Sequence, residues 1–171
     1  MTLEERAKKI KLLVMDVDGT LTDGAMYYTN EGEYMKRFTT RDGMGVTLLR
    51  RAGIDSAIIT SEQSEIAVKR GEKLKIQHVI LGSHDKSASL MDLSQKLNIP
   101  MEAIAYIGDD VNDGPVMRLC GLTGCPSDAV AAIKEIAHHT CSFPGGHGAV
   151  REFAELILRA QNQPVILPER W

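Results

Sequence analysis

Three short apolar runs, each stopping abruptly at acidic or hydroxylated residues, constrain this chain more than any other feature of it. Residues 10–15 stop at Asp16, Val17, Asp18 and Gly19; residues 55–60 end on Thr60, with Ser61 next; residues 103–108 lead directly into Asp109 and Asp110. Runs this short and aliphatic, without alternation, read as strands buried on both faces of a parallel sheet. Residues 79–81 make a weaker fourth. Between them, residues 45–52, 65–74 and 87–97 carry apolar positions at helical spacing, the last closed by Asn98, Ile99 and Pro100. Strands alternating with helices predict an α/β fold on a doubly wound parallel sheet. Residues 25–39 break the alternation. Two short segments of alternating polarity flank Asn30, Glu31 and Gly32, the chemistry of a β-hairpin inserted after the first strand.

Length and charge narrow the rest. A chain of 171 residues with 43% hydrophobic content buries one sizeable core and is too short for two ordinary domains, so residues 1–161 read as one domain. Residues 162–171, with two prolines, read as an extended C-terminal tail. The formal net charge of −3, from 20 basic and 23 acidic side chains, leaves no footprint for nucleic acid or an anionic membrane. An anionic small-molecule ligand must therefore be bound locally. Cys120, Cys125 and Cys141 make no CxxC pair or zinc pattern and read as reduced thiols. His78, His84, His138 and His139 lack ligand-like spacing and read as surface or loop residues. The charged N-terminus and the break at Asp16 fit neither a signal peptide nor a spanning helix, so a cytoplasmic location is expected.

In open parallel sheets, ligands bind beyond the carboxyl ends of the strands, so the residues following each strand should converge. Those residues are Asp16 and Asp18, Thr60 and Ser61, Lys86, and Asp109, Asp110 and Asp113. Singly, an Asp-x-Asp is a cap or turn, a Lys is a solvated surface group and a Thr caps a strand end. Together and in this order they form a set. Clustered carboxylates repel one another unless a cation is bound, and oxygen-only ligands favour Mg²⁺. With Mg²⁺ and Lys86 offsetting the charge, a phosphoryl group can approach, and Asp16 is placed to attack it. Asp18 can protonate the leaving oxygen and then activate water, while Thr60 holds phosphoryl oxygens. Either Asp110 or Asp113 supports Asp109 in this reading.

These residues resemble the four motifs of the haloacid dehalogenase superfamily: Asp16, Asp18, Gly19 and Thr20; then Thr60; then Lys86; then Gly108, Asp109, Asp110 and Asp113. The resemblance narrows to its capless sugar acid phosphatases through Leu21 to Gly24, Arg41-Asp-Gly43, Pro115-Val-Met117 and Gly145-Gly-His-Gly. It implies a Rossmann-like haloacid dehalogenase fold without a cap domain. Asp16 would be the nucleophile, Asp18 the acid and base, and Mg²⁺ would be held by Asp16, the Asp18 carbonyl and Asp109. Thr60 and Lys86 would grip phosphate. It further implies a homotetramer in which hairpins like residues 25–39 assemble and a neighbouring subunit closes the site.

Two substrates fit the resemblance, both 2-keto-3-deoxy sugar acid phosphates. The branch acting on 3-deoxy-D-manno-octulosonate 8-phosphate, of lipopolysaccharide synthesis, has Gly-Arg where this chain has Ser61 and Glu62. Glu62 with Lys73 resembles the branch acting on nonulosonate 9-phosphates, of sialic acid type, or is a solvated surface pair. Arg70 meets substrate across a subunit interface or makes a surface salt bridge. His147 stands where the family carries Arg, replacing a permanent cation by a titratable one. The alternative from another class is a phospho-accepting receiver-like signalling domain, which gathers acids, Thr and Lys around Mg²⁺ but places its acceptor at a middle strand, where this chain has Thr60.

Overall fold

The side chains of β1 (Leu12–Met15) enter two separate apolar clusters, and the architecture follows from that division. Leu13 and Met15 join one cluster and Leu12 and Val14 the other, the period of two that a strand imposes. The computed structural model describes residues 1–167. β2 (Tyr27–Thr29) and β3 (Gly32–Met35) pair antiparallel as a separate hairpin. Behind them come β4 (Asp55–Ile59), β5 (His78–Ile80), β6 (Ile104–Ile107), β7 (Leu122–Cys125) and β8 (His139–Thr140). These five and β1 form an all-parallel sheet in the order β5-β4-β1-β6-β7-β8.

Helices cover both faces, which is what an all-parallel sheet requires. On one face lie α1 (Leu3–Ala7), α2 (Thr40–Arg51) and α3 (Glu65–Leu74), supplying Ala7, Leu49 and Ala67 among others. On the other lie α4 (Lys86–Leu97), α5 (Gly114–Met117) and α6 (Ala131–Lys134), supplying Leu90, Met117 and Ile133. α7 (Ala149–Ala160) returns to the first face with Val150, Phe153, Ala154, Ile157 and Leu158. The chain thus winds outward from β1 to β4 and β5, then crosses back to β6, β7 and β8. The order reverses at β1, which opens a crevice at its carboxyl end.

The α/β, doubly wound parallel sheet with its hairpin insertion is the expected one, and the departures have local causes. α2 begins at Thr40, earlier than its apolar spacing predicts, because Thr39 caps it through Arg41 N and glycine is wanted inside it. A Cβ on Gly45 would sit 3.0 Å from the Arg151 Cα of α7, so the two helices meet there only without a side chain. His78 and His139 open strands rather than lying in loops, and His138 Nδ1 accepts from Thr123 N at 3.0 Å. The start of the tail is tied down: Gln163 N donates to Leu158 O at 2.8 Å, and Val165 and Leu167 pack against the first cluster. The rest of the expected tail, residues 168–171, lies outside the described residues. All three cysteines are free and buried. Among the described residues no helix is long and apolar enough to cross a membrane.

Phe153 is fully buried on α7 and lies against Gly124 of β7. Phe153→Ala should therefore cost about 3–5 kcal/mol, read as a lowered urea midpoint with an unchanged slope. An unmoved midpoint would mean that α7 is not close-packed on the sheet.

Candidate active site

The sheet delivers Asp16 to the crevice as the direct continuation of β1, its backbone N still donating to Ile107 O at 3.1 Å. Its side chain is buried and 2.9 Å from Lys86 Nζ. The chain then turns away through Gly19, whose φ of 83° is in the left-handed region. A Cβ there would also overlap the Asp109 carboxylate. That close approach lets Thr20 Oγ donate to Asp109 Oδ1 at 3.0 Å, joining the loop after β1 to the loop after β6.

Asp113 is the hub of the site. Its Oδ1 accepts from Lys86 Nζ at 2.7 Å and from the Tyr106 hydroxyl at 2.8 Å, and its Oδ2 accepts from Asp109 N at 2.9 Å. It is fully buried, whereas Asp110 is exposed and accepts from Val111 N at 2.6 Å. Between the two candidates to support Asp109, the contacts belong to Asp113, with a weaker bond from Asp110 N at 3.4 Å. Asp113 has no free oxygen to spare. Lys86 is the first residue of α4, behind an Asp85 cap that accepts from Ala88 N at 2.9 Å.

Carboxylate oxygens of Asp16, Asp109 and Asp113 come within 4.8 Å of one another. Burial, aided by Asp113, pushes Asp16 up to about 7 against the opposing pull of Lys86. Burial likewise pushes Asp109 up to about 7, opposed by the Thr20 bond and reinforced by Asp113 and Asp110. Burial and the carboxylates of Asp113 and Asp16 push the Tyr106 phenol well above its usual range, so it donates to Asp113 as a neutral hydroxyl. An oxygen-only donor set with two carboxylates that resist ionisation fits a divalent cation, because the cation relieves the cause of the shift. Asp16 and Asp109 have the oxygens for it.

Thr60 is buried between the loops, its Oγ accepting from Glu62 N at 3.3 Å and its carbonyl from Ser83 N at 2.9 Å. Ser61 does not crowd this loop: its hydroxyl turns away to donate to Ser83 O at 3.1 Å. Asp18 Oδ1 accepts from Lys36 Nζ at 2.6 Å, and Asp18 Oδ2 is buried with no partner. The loop of Gly145 and Gly146 closes the other side, with Gly146 N donating to Thr20 O at 3.0 Å. His147 is exposed, bonded through Nδ1 to Gly145 O and through Nε2 to Arg37 at 3.1 Å.

Asp16, Asp18, Thr60, Lys86 and Asp109 therefore share one crevice. The remaining expected residues do not all join it. Glu62 is exposed beside Thr60, but Lys73 lies in the last turn of α3, about 12 Å of helix from its start. Arg70 makes no salt bridge among the described residues, and its Nε has no hydrogen-bond partner. It donates to Thr39 O at 2.9 Å and lies over the Phe38 ring at 5.3 Å. Asp42, of the Arg41-Asp-Gly43 motif, is buried and accepts from Arg151 N at 2.9 Å, capping α7. Tyr106 and Lys36 are the residues sequence reasoning missed; Thr20 was named only within the first motif, without its contact to Asp109. Tyr106 had a signal, since a tyrosine in an otherwise aliphatic buried strand needs a partner for its hydroxyl.

The raised carboxyls carry a sign. Without a divalent cation, the folded protein holds protons on Asp16 and Asp109 that the unfolded chain releases near the ordinary value of 3.8, so stability is lost as pH rises towards and through about 7. The cation-free protein should melt lower at pH 8 than at pH 6, and Asp109→Asn should flatten that difference. Saturating Mg²⁺ should raise the wild-type melting temperature more at pH 8 than at pH 6. Calorimetry at the two pH values checks both.

A family described as haloacid dehalogenase-like hydrolase matches residues 51–152. The 3-deoxy-D-manno-octulosonate 8-phosphate phosphatase KdsC of Yersinia pestis is 42% identical over 159 residues, covering 93% of this chain and 85% of its own. The KdsC of Escherichia coli K12 is 40% identical, covering 92% of this chain and 84% of its own. The crystal structure of the corresponding phosphatase of Moraxella catarrhalis, in complex with magnesium ion, phosphate ion and KDO, superposes with a TM-score of 0.91 at 41% identity, covering 94% of this chain and 92% of that one. With the parallel sheet, the hairpin and the strand-end carboxylates in place, this chain belongs to the haloacid dehalogenase-like hydrolase family.

Proposed function

We propose that this chain is a Mg²⁺-dependent phosphatase that hydrolyses 3-deoxy-D-manno-octulosonate 8-phosphate through an aspartyl-phosphate on Asp16. The observation that carries the reading is the buried Asp16 carboxylate at the end of β1, held 2.9 Å from Lys86 and facing Asp109 and Asp113. The relatives named for that substrate, covered over most of their length, support this choice. Asp16, the Asp18 carbonyl and Asp109 hold Mg²⁺, which when bound adds positive charge where phosphoryl oxygens gather.

Each step then has a residue. Lys86 pulls Asp16 towards its ionised form, which a bound cation would complete, and offsets the charge of the phosphoryl group, and Thr60 Oγ binds one of its oxygens. An Asp16 oxygen bonds to phosphorus as the bond to the sugar oxygen breaks, and Asp18 gives that oxygen its proton. Asp18 then takes a proton from water, which attacks phosphorus and returns Asp16 with release of phosphate. Asp113 touches neither substrate nor metal; it orients Lys86 and the Asp109 backbone.

The nonulosonate 9-phosphate remains the second reading because Glu62 stands exposed beside Thr60, where it can accept from sugar hydroxyls. Lys73 of the same chain cannot join it, so that pair needs a second subunit. The hairpin supports the homotetramer: Tyr28 is 63% and Tyr34 71% exposed, beside Met35. A cytoplasmic enzyme accords with a small sugar phosphate substrate. The receiver-like alternative has the family match against it.

The test is phosphate release from the 8-phosphate and a 9-phosphate side by side, with Mg²⁺ and with EDTA. The 8-phosphate should show the higher kcat/KM, and EDTA should abolish both. Asp16→Asn should lose turnover by at least about 10³-fold while keeping the fold, read as an unchanged far-ultraviolet circular dichroism spectrum. An active Asp16→Asn enzyme would remove the nucleophile assignment, and preference for the 9-phosphate would make Glu62 the specificity residue.

A further inference from the structure

We infer that Lys36 is a positioning residue for Asp18, a role that rests on the phosphatase reading above. Lys36 follows β3 at the end of the hairpin, and its side chain has no exposed surface. A buried lysine is rare unless paired, and this one is paired twice: its ammonium lies 2.6 Å from Asp18 Oδ1 and 2.6 Å from Glu33 Oε1. Glu33 in turn accepts from the Ser64 hydroxyl at the start of α3. A continuous chain of charged contacts therefore runs from the loop region after β4, through the hairpin, to the residue proposed to move protons.

The contact divides the two oxygens of Asp18. Oδ1 is occupied by Lys36, while Oδ2 is buried and has no hydrogen-bond partner, so Oδ2 is the oxygen left to carry a proton. Lys36 fixes the carboxyl rotation that keeps it so. As the Asp16–phosphorus bond forms, the electron pair of the breaking bond passes to the leaving oxygen, and the Oδ2 proton follows it there. A mobile Asp18 would share that proton between two orientations and lose effective concentration at the leaving atom. Charge alone does not explain the arrangement, because Lys86 already faces the nucleophile.

The discriminating measurement is kcat/KM, which covers steps through the first cleavage, on two leaving groups. A sugar acid phosphate expels a primary alcohol that needs a proton; 4-nitrophenyl phosphate expels a stable anion that does not. Lys36→Met should lower kcat/KM for the sugar phosphate by on the order of 10²-fold and for the aryl ester by less than about threefold, and Lys36→Arg should recover most of the difference. Equal losses on both esters would overturn the role and leave Lys36 a structural clip. If Lys36→Met fails to fold, Glu33→Gln, which frees the far side of Lys36, carries the same test: the sugar phosphate should suffer more than the aryl ester, and parallel losses overturn the role. A wild-type protein that cleaves neither ester would defeat the phosphatase reading itself.

Discussion

The buried contact of Lys86 with Asp113 and Asp16 is the constraint on which the rest of the site depends. It joins three separate stretches of chain: the start of α4, the turn after β6 and the end of β1. An ammonium taken out of water costs several kcal/mol unless its partners replace the lost hydration, and removing one partner of such a group costs about 3–5 kcal/mol. Here the partners are arranged so that each is also held elsewhere. Asp113 is fixed by Tyr106 and by the Asp109 backbone, and Asp16 is fixed by the β1 ladder. The cluster therefore sets where the loops beyond the sheet lie, rather than merely occupying the space they leave. The proposed chemistry draws on the same cluster, through the Asp16 carboxylate and the charge of Lys86.

Much of this was legible in the residues, for a physical reason. A strand buried on both faces has to be apolar throughout and has to stop where the chain meets water, so β1, β4 and β6 and the residues after them show directly in the sequence. β7 does not: Leu122-Thr-Gly-Cys125 has no aliphatic run, because Gly124 leaves room for the Phe153 ring and Thr123 faces His138. β8 is two residues at the sheet edge and carries no pattern. α1 is short, and its capping box of Thr2 and Glu5 reads as surface charge until the helix is seen. α7 was available, since Val150, Phe153, Ala154, Ile157 and Leu158 have the spacing of an apolar helical stripe.

The site divides in the same way. Asp16, Asp18, Thr60, Lys86 and Asp109 follow from strand ends, which a linear pattern locates. The choice between Asp110 and Asp113 depends on which side chain turns inward, and that is decided by Tyr106 and Lys86, remote in sequence. Arg70 shows the converse. Its charge suggested a ligand or a surface pair; within one chain it reaches the Thr39 carbonyl and the Phe38 ring, at the exit of the hairpin, and leaves its Nε without a partner. Ser61 carries a hydroxyl that stitches its loop to Ser83, a contact no linear pattern shows.

The hairpin has one more consequence, for how the site behaves below global unfolding. β1 lies inside the sheet with both faces covered, so its amides open to solvent only when the whole domain does. The hairpin has two strands of three and four residues, paired only with each other and largely exposed. Such an element frays at a small fraction of the global free energy. The Asp16 carboxylate therefore continues a strand that should open only with the fold, while Lys36, which grips Asp18, follows an element that should fray on its own. Mild heat or denaturant should then loosen the Asp18 grip well before the fold gives way, and anything that pins the hairpin, including another copy of the chain, steadies it.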